Sequence, residues 1–353
     1  MESLLCDEVW PFSSPIENEL VEKTTLHGED HNGEYCCHMS MEDCEQALTI
    51  SLEDEKSYAI TPKYLEYLAS KKLIVPRFKS IQWFIKCRSR LNLCFETVFY
   101  ATNYLDRFIL SMNQCNIEWK YWMVELLSVA CISIASKFSD TTTPTLHEIN
   151  LNMEDMEHLF QPSTIQRMEL MILQALDWRL ACATAYSYVE MFTRALHVTS
   201  NVKPHLQQEI VAQVNDLLLR AISDTKMLEF KPSVIALSAI WCCLDKLHPT
   251  APITLPSSLA GFFNQDQKDD LVRCHNTMEM QWINGTTLLD DEGQYCYNYC
   301  PSSPTTVLLK ERINLPDFNV DLSLFHIQRP QFNLDPSISK KKPRRSEGLY
   351  MNQ

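Results

Sequence analysis

The sequence predicts an all-α protein made of two consecutive helical blocks between two tails. Glycine usage is the first observation: only 6 of 353 residues are Gly, and none lies between Gly33 and Gly261. Average usage would place roughly sixteen glycines in that interval. Phosphate-binding loops and tight hairpin turns need the positive φ or the close backbone approach of glycine, so these elements are excluded there. The other two observations are helical spacing of apolar residues and acidic or polar composition at the ends.

Residues 1–60 form an acidic leader. They hold 15 Asp and Glu against 2 Lys and Arg, whereas the whole chain has a net charge of −14, so the remainder is close to neutral. Sustained periodicity is missing apart from a short helical pattern near Met41 to Leu52, so we expect the leader to be mostly disordered. An acidic leader and a neutral body repel phosphate backbones, which argues against nucleic-acid binding.

The first predicted block spans residues 61–180 and contains five helices. The segment from Trp119 to Phe138 is apolar on almost every face, which is typical of a fully enclosed helix. Pro162 suits the first turn of another helix, since its missing N–H costs nothing there. The other helices are amphipathic or short, and they are predicted over Lys79 to Leu91, Phe95 to Met112 and near His147, with the helix from Pro162 ending at Trp178.

The second predicted block spans residues 181–285. Its helices are predicted over Ala185 to Leu196, Pro204 to Ile222, Pro232 to Leu247, a short piece from Leu255 to Phe263, and Gln265 to Trp282. No repeat of 34 or 40 residues appears, although helix count and length alone leave a helical solenoid open. Residues 286–353 are predicted to be a disordered tail.

The cysteines and apolar runs indicate an intracellular, soluble protein. The 14 Cys never form two C-x-x-C pairs or a Cys/His quartet at zinc spacing, so we expect buried, reduced thiols and no metal. The longest uncharged apolar runs, Leu126 to Ala135 and Val234 to Leu244, are too short to span a bilayer, so no membrane partner is expected. No pattern predicts catalytic residues or a bound cofactor.

Two short motifs in the tails point to partners. Leu4, Cys6 and Glu8 form an L-x-C-x-E peptide in which alternate side chains of an extended strand face one partner. The C-terminal basic cluster is compact enough for nuclear import, which predicts a nuclear as well as cytoplasmic protein. The cluster comprises Lys340, Lys341, Lys342, Arg344 and Arg345.

Three motifs in the first block together resemble a cyclin box. They are the run from Asn103 to Phe108, the run from Ala135 to Phe138, and Met168 to Leu170 ahead of Trp178. The resemblance covers roughly residues 64 to 282 and implies two tandem five-helix cyclin folds. With the L-x-C-x-E leader, the chain is similar to plant D-type cyclins. The leader residues through Trp10 and the run from Trp122 to Leu126 resemble their seventh subgroup most.

This resemblance implies a regulatory subunit, not an enzyme. Such a subunit activates a cyclin-dependent kinase and directs it to retinoblastoma-related protein at the G1/S transition. Lys137 and Glu169 match the family's oppositely charged pair that hydrogen-bonds the kinase, and Leu4, Cys6 and Glu8 match its retinoblastoma-binding motif. Asp106 and Arg107 are expected to form an intramolecular ion pair or capping pair.

The resemblance also places a substrate-docking groove at Arg77, Ile81 and Trp83. In the family this groove binds R-x-L peptides of substrates and kinase inhibitor proteins. The match is incomplete, because Pro76, Lys79 and Ser80 stand where the family has apolar residues or Met, which weakens the expectation of docking. Glu125 lies where many members carry Gln, so its carboxylate is expected to favour basic peptides.

Two other functions share this composition. A general transcription factor of the cyclin fold would require a basic face and usually a zinc ribbon, and an inert helical scaffold would bind no kinase. Co-purification with a cyclin-dependent kinase distinguishes the three.

Overall fold

The computed structural model describes residues 41–55, 63–115, 117–153, 156–199, 204–247, 261–285, 313–316 and 320–325. The L-x-C-x-E motif of Leu4, Cys6 and Glu8 and the basic cluster of residues 340–345 lie outside these ranges. Most of the short helical piece predicted over Leu255 to Phe263 also lies outside them.

The predicted all-α class is confirmed, with eleven α-helices in the described residues. They are α1 Met41–Glu55, α2 Lys63–Ser70, α3 Ile74–Leu91, α4 Phe95–Ser111, α5 Tyr121–Ser139, α6 Leu146–Leu151, α7 Pro162–Ala175, α8 Ala185–Thr199, α9 Pro204–Ser223, α10 Pro232–Leu247 and α11 Gln265–Gly285. Two short strands that the sequence patterns do not predict, β1 His158–Phe160 and β2 Ile313–Leu315, pair in parallel.

The first lobe, α2 to α7, is built around α5. This helix packs against α3, α4 and α7, and its residues from Met123 to Ser136 are buried. The buried Ser128 Oγ lies 2.7 Å from both the Val124 carbonyl oxygen and Ser80 Oγ, so its hydroxyl is paired where α5 crosses α3. Among the described helices, α5 alone has the length and apolarity of a membrane span, but 78% of the apolar window is buried inside the protein, as in a core helix.

The second lobe, α8 to α11, has α10 at its centre, packed against α8, α9 and α11. Cys242, Cys243 and Cys274 are buried there as free thiols, as predicted. Burial raises the pKa of Cys243 and of Cys274 to about 12. These thiols therefore stay protonated near neutral pH and act as small apolar side chains.

Glycine's usual positions at helix ends are taken by other residues. Lys72, Asn92, Asp177 and Trp178 have φ between 51° and 60°, which is the left-handed region. Asn92 ends α3, where its N–H donates to the Arg88 carbonyl. Asparagine tolerates this conformation better than most residues, so α3 ends without a glycine.

Described structure lies at one place in each predicted tail. Helix α1 corresponds to the short helical pattern expected near Met41 to Leu52, whereas residues 313–316 and 320–325 were not expected to have structure. Helix α1 lies within the predicted leader and packs against α8 of the second lobe, with Leu48 and Glu55 buried. Within the predicted tail, residues 313–316 and 320–325 pack on the first lobe, where Val320, Leu322 and Phe325 are buried. Composition did not indicate residues 313–316 and 320–325, because segments this short show no apolar period.

Candidate functional site

The two predicted charged residues of the first lobe meet at its surface. Lys137, near the end of α5, places its Nζ 2.7 Å from Oε1 and 2.8 Å from Oε2 of Glu169 in α7. The Lys137 side chain is 50% exposed and that of Glu169 is 11% exposed. Lysine has three N–H donors and a carboxylate has about four lone pairs, so the pair keeps capacity for further hydrogen bonds.

Exposed apolar side chains flank this ion pair in the sequence. Phe138, which follows Lys137, is 44% exposed, and Leu170, which follows Glu169, is 52% exposed. The Phe138 ring is fixed by an edge-on contact with Tyr100 at 5.2 Å between ring centroids. Each member of the ion pair is thus followed in its helix by an exposed apolar side chain.

Trp178 lies just beyond the end of α7 in the first lobe. Its indole is 64% exposed and its backbone has φ of 60°, an uncommon conformation for a bulky residue that is often found at functional sites. The Trp178 N–H donates to the Leu173 carbonyl at 2.9 Å, which holds this turn. The sequence patterns used Trp178 only as a motif marker, whereas the structure shows it as exposed apolar surface.

Arg77, predicted to line a docking groove, has a structural role instead. Its side chain is 1% exposed, and Nε and Nη2 bind both oxygens of Asp106 at 2.7 and 2.8 Å. Tyr64 also donates to Asp106, at 2.7 Å. Burial alone would lower the pKa of the Arg77 guanidinium, but the negative charge of Asp106, its hydrogen bonds to Arg77 and the contribution of Tyr64 together outweigh burial and raise that pKa. A fully enclosed guanidinium cannot contact a docking peptide, so the prediction for Arg77 is wrong.

The expected pairing of Asp106 with Arg107 is also wrong, although Asp106 does form an intramolecular ion pair. Arg107 Nη1 instead donates to the Arg179 carbonyl at 2.8 Å and to Asn103 Oδ1 at 3.4 Å. Adjacent helical residues point about 100° apart, so they rarely face each other.

A groove of about 290 Å³ does lie beside α3 and α5. Ile81 is fully buried, and Trp83 and Glu125 contribute little accessible surface because they are 2% and 6% exposed. The Trp83 indole N–H is already used by the Asn152 carbonyl at 2.8 Å. Partly or fully exposed side chains therefore form the accessible wall, and they are Pro76, Phe78, Lys79, Gln82, Lys86 and Tyr121.

Glu125 is not available to select basic peptides, which corrects that expectation. Its Oε1 accepts the Glu157 N–H at 2.8 Å, and its Oε2 accepts the His158 N–H at 3.2 Å. His158 Nδ1 lies 2.6 Å from Oε2. The carboxylate therefore holds the chain entering β1 against α5, a role that no local sequence pattern signals.

The described residues contain no group of three or more His, Cys, Asp or Glu side chains that could hold a metal ion. What the first lobe presents is a surface of fixed charges and apolar side chains, suited to binding another protein.

Comparisons with known proteins agree with this architecture. Residues 46–181 match the family "Cyclin, N-terminal domain" and residues 183–287 match "Cyclin, C-terminal domain". A cyclin-D7-1 of Oryza sativa subsp. japonica is 42% identical over 54% of this chain and 53% of its own length. Cyclin-D3-3 of Arabidopsis thaliana is 32% identical over 80% of this chain and 76% of its own length.

The chain thus spans about half the length of the rice cyclin-D7-1, and 62% of rice Cyclin-D1-2. Among solved structures, a viral cyclin from herpesvirus saimiri aligns with 15% identity and a TM-score of 0.49, covering 59% of this chain and 86% of that one. With a TM-score below 0.5, this likeness has no weight in the assignment.

Proposed function

The chain belongs to the cyclin family, among the plant D-type cyclins, and from this membership we propose that it is a regulatory subunit that binds and activates a cyclin-dependent kinase. The observation that carries the proposal is the surface ion pair of Lys137 and Glu169 with its apolar neighbours. Both residues lie in the box motifs at the positions that contact the kinase in this family.

The geometry of the pair suits it to hydrogen bonding with backbone groups of the kinase. In the free chain Lys137 and Glu169 already hold each other at 2.7 and 2.8 Å, so little side-chain freedom remains to be lost on binding. The remaining N–H groups of Lys137 can donate to carbonyls of the partner, and the Glu169 oxygens can accept its amides. Phe138 and Leu170 would exclude water from these ionic hydrogen bonds, which strengthens them.

Activation follows from where such a contact acts on the kinase. A rigid lobe pressed against the kinase's regulatory helix would move that helix inward, so that its Glu meets the strand Lys that holds the ATP phosphates. All catalytic groups belong to the kinase. This chain contributes position only, and its activity is a shift of the kinase between two conformations.

The test is assembly with a cyclin-dependent kinase followed by phosphate transfer to a retinoblastoma-related protein. We expect Lys137→Ala/Glu169→Ala to weaken kinase binding by roughly 30-fold or more, because lost interfacial charge contacts cost about 2–5 kcal/mol. The matched control is Asp270→Ala/Arg273→Ala, which removes an exposed ion pair of 2.9 Å from α11. Equal activation by the Lys137 and Glu169 variant would refute the proposal, and so would failure of the natural chain to bind any kinase.

The proposed target of the kinase is retinoblastoma-related protein, recruited by Leu4, Cys6 and Glu8 at the G1/S transition. Support comes from the motif's alternating spacing within an acidic leader. In the same assay, Cys6→Ala should abolish binding of the retinoblastoma-related protein and leave kinase assembly intact. Persistent binding would mean that another part of the chain recruits the target.

Two further proposals concern localisation and inhibitors. We expect import into the nucleus through Lys340 to Arg345, and alanine at the five basic positions should leave the protein in the cytoplasm.

Kinase inhibitor proteins remain proposed partners of the groove on α3 and α5, where the ammonium of Lys79, 3.2 Å from the Tyr121 hydroxyl, lies at the exposed wall. An acidic peptide should bind there more tightly than a basic one, and the reverse order in a titration would exclude this polarity.

A further inference from the structure

A C-terminal segment, residues 313–316 and 320–325, lies on the first lobe and is here called the strap. Its strand β2 runs parallel to β1, with Ile313 opposite His158 and Leu315 opposite Phe160. The Ile313 N–H donates to the Glu157 carbonyl at 2.8 Å. The strap therefore pairs with one extended segment of the first lobe to make a two-stranded sheet, and backbone pairing of this kind is a mode by which extended peptides bind proteins.

The second half of the strap anchors itself through apolar side chains. Phe325 is fully buried, with its ring centroid 5.6 Å from that of Phe108 and 6.0 Å from that of Trp119. Both contacts are nearly edge-on, at 74° and 72°, the arrangement that aromatic rings prefer. Val320 and Leu322 are buried as well.

The surface under the strap is organised by the first lobe itself. The Trp119 indole N–H donates to the Tyr67 hydroxyl at 3.1 Å, and that hydroxyl lies 3.4 Å from the Met112 carbonyl. On the strand side, β1 is held by the contact of His158 with Glu125. None of these bonds involves the strap, so the slot between Phe108, Trp119 and the β1 edge does not need the strap to fix its walls.

The strap also has the features of a separate ligand. Residues 286–312 separate it from the end of α11, and a chain of that length reaches roughly 90 Å when extended, so the tether does not force the contact. Within the strap, Ser323 donates its N–H and its hydroxyl to Asp321 Oδ1 at 2.9 and 2.6 Å. This local turn sets the spacing between the anchors Leu322 and Phe325.

We propose that the first lobe carries a peptide-docking slot and that the chain's own strap is the ligand that occupies it. The slot is a different place from the groove on α3 and α5, and it is independent of any kinase. Its ligand chemistry is an extended segment followed by a turn with Leu and Phe three residues apart. A tether of this kind gives the strap a millimolar effective concentration, so it competes with any similar peptide in solution.

The experiment uses the full chain and a fluorescent peptide with the sequence of residues 311–327. The substitutions Leu322→Ala/Phe325→Ala in the full chain should release the strap from the slot. The peptide should then bind this variant at least about tenfold more tightly than it binds the natural chain. The same peptide carrying both alanines should bind neither chain. Val272→Ala, at an exposed position of α11, is the control variant and should bind as weakly as the natural chain.

A second variant tests the same contact without removing any buried side chain. Ile313→Pro removes the N–H that donates to Glu157 while leaving the Phe325 contacts in place, and the Ile313 side chain is exposed, so no cavity forms. Hydrogen exchange should then rise at least tenfold for amides of both β1 and residues 322–325, with α10 unchanged. Unchanged exchange in this variant, or equal peptide binding to the natural and double-alanine chains, would overturn the proposal.

Discussion

Asp106 is the residue on which three helices converge. It accepts hydrogen bonds from Arg77 of α3 and Tyr64 of α2, and Arg77 in turn donates to the Ile222 carbonyl of α9 at 3.2 Å. Burial raises the pKa of the Tyr64 hydroxyl well above its ordinary value, so Tyr64 remains a neutral donor. One buried carboxylate thus fixes the first lobe and, through Arg77, joins it to the second.

We expect Asp106→Asn to destabilise the fold by about 3–5 kcal/mol, because it leaves the buried Arg77 cation without a counter-charge. Tyr64→Phe removes only a neutral hydrogen bond to the same carboxylate and should cost about 1 kcal/mol. Urea unfolding of both variants measures the difference. If the two substitutions cost the same, charge pairing is not what holds this cluster together.

Sequence motifs assigned to one site two residues that do meet at the surface, and they misplaced two residues whose partners are distant in sequence. Lys137 and Glu169 were assigned to one site from separate motifs, and they do meet. Arg77 and Glu125 were assigned to a groove, whereas each is used by a residue about thirty positions away. Local spacing contains no information about such long-range pairs.

At the scale of elements, the N-terminus of α10 is capped from outside its own lobe. Glu55, the last residue of α1, accepts the Ser233 N–H at 2.7 Å and the Ser233 hydroxyl at 2.9 Å. The first turn of a helix has unpaired N–H groups and a partial positive charge, so a carboxylate is favourable there. Burial nevertheless raises the pKa of Glu55 from its ordinary 4.5, and the two hydrogen bonds from Ser233 offset this only in part.

The pH dependence of stability follows from that raised pKa. A carboxyl whose folded pKa exceeds its unfolded pKa contributes stability that is fully present below pH 4.5 and is lost as pH rises through the folded pKa. The free energy of unfolding of the natural chain minus that of Glu55→Gln should therefore fall as pH rises through that window and then level off. Glu53→Gln, at an exposed position of α1, is the control and should give a flatter difference. A difference that rises with pH would contradict the raised pKa.

The elements that the sequence predicts well are those with a strong periodic or continuous apolar pattern. Helix α5 was expected over Trp119 to Phe138 and is observed over Tyr121–Ser139. The sequence predicts α1 only as a short helical pattern inside a disordered leader. Glu55, which binds Ser233, cannot be distinguished by sequence from the other acidic residues of the leader. Strands of three residues, such as β1 and β2, are too short for any period to appear.

At the scale of the whole molecule, each end of the described chain packs on the lobe farther from it in sequence. Helix α1 precedes the first lobe but packs on α8 of the second, where the Tyr188 hydroxyl donates to the Ser51 carbonyl at 2.7 Å. The strap follows the second lobe but packs on the first. A hydrogen bond from Gln82 Nε2 to Ser223 Oγ, at 3.0 Å, joins the lobes directly. Arg77 also donates to the Ile222 carbonyl, and α4 packs on α8, so we expect these direct contacts to make each lobe depend on the other for stability.

This interdependence predicts one cooperative unfolding transition, and a substitution in α1 tests it. Leu48 is buried at 2% exposure, so Leu48→Ala should cost about 2–5 kcal/mol and lower Tm by about 5–15 °C. Ile50→Ala changes a side chain that is 56% exposed on the same helix and should shift Tm little. Calorimetry of the Leu48 variant should still show a single transition, with hydrogen exchange rising in both α5 and α10. Two separate transitions, with only the second lobe shifted, would show that the lobes fold independently and that α1 stabilises one of them alone.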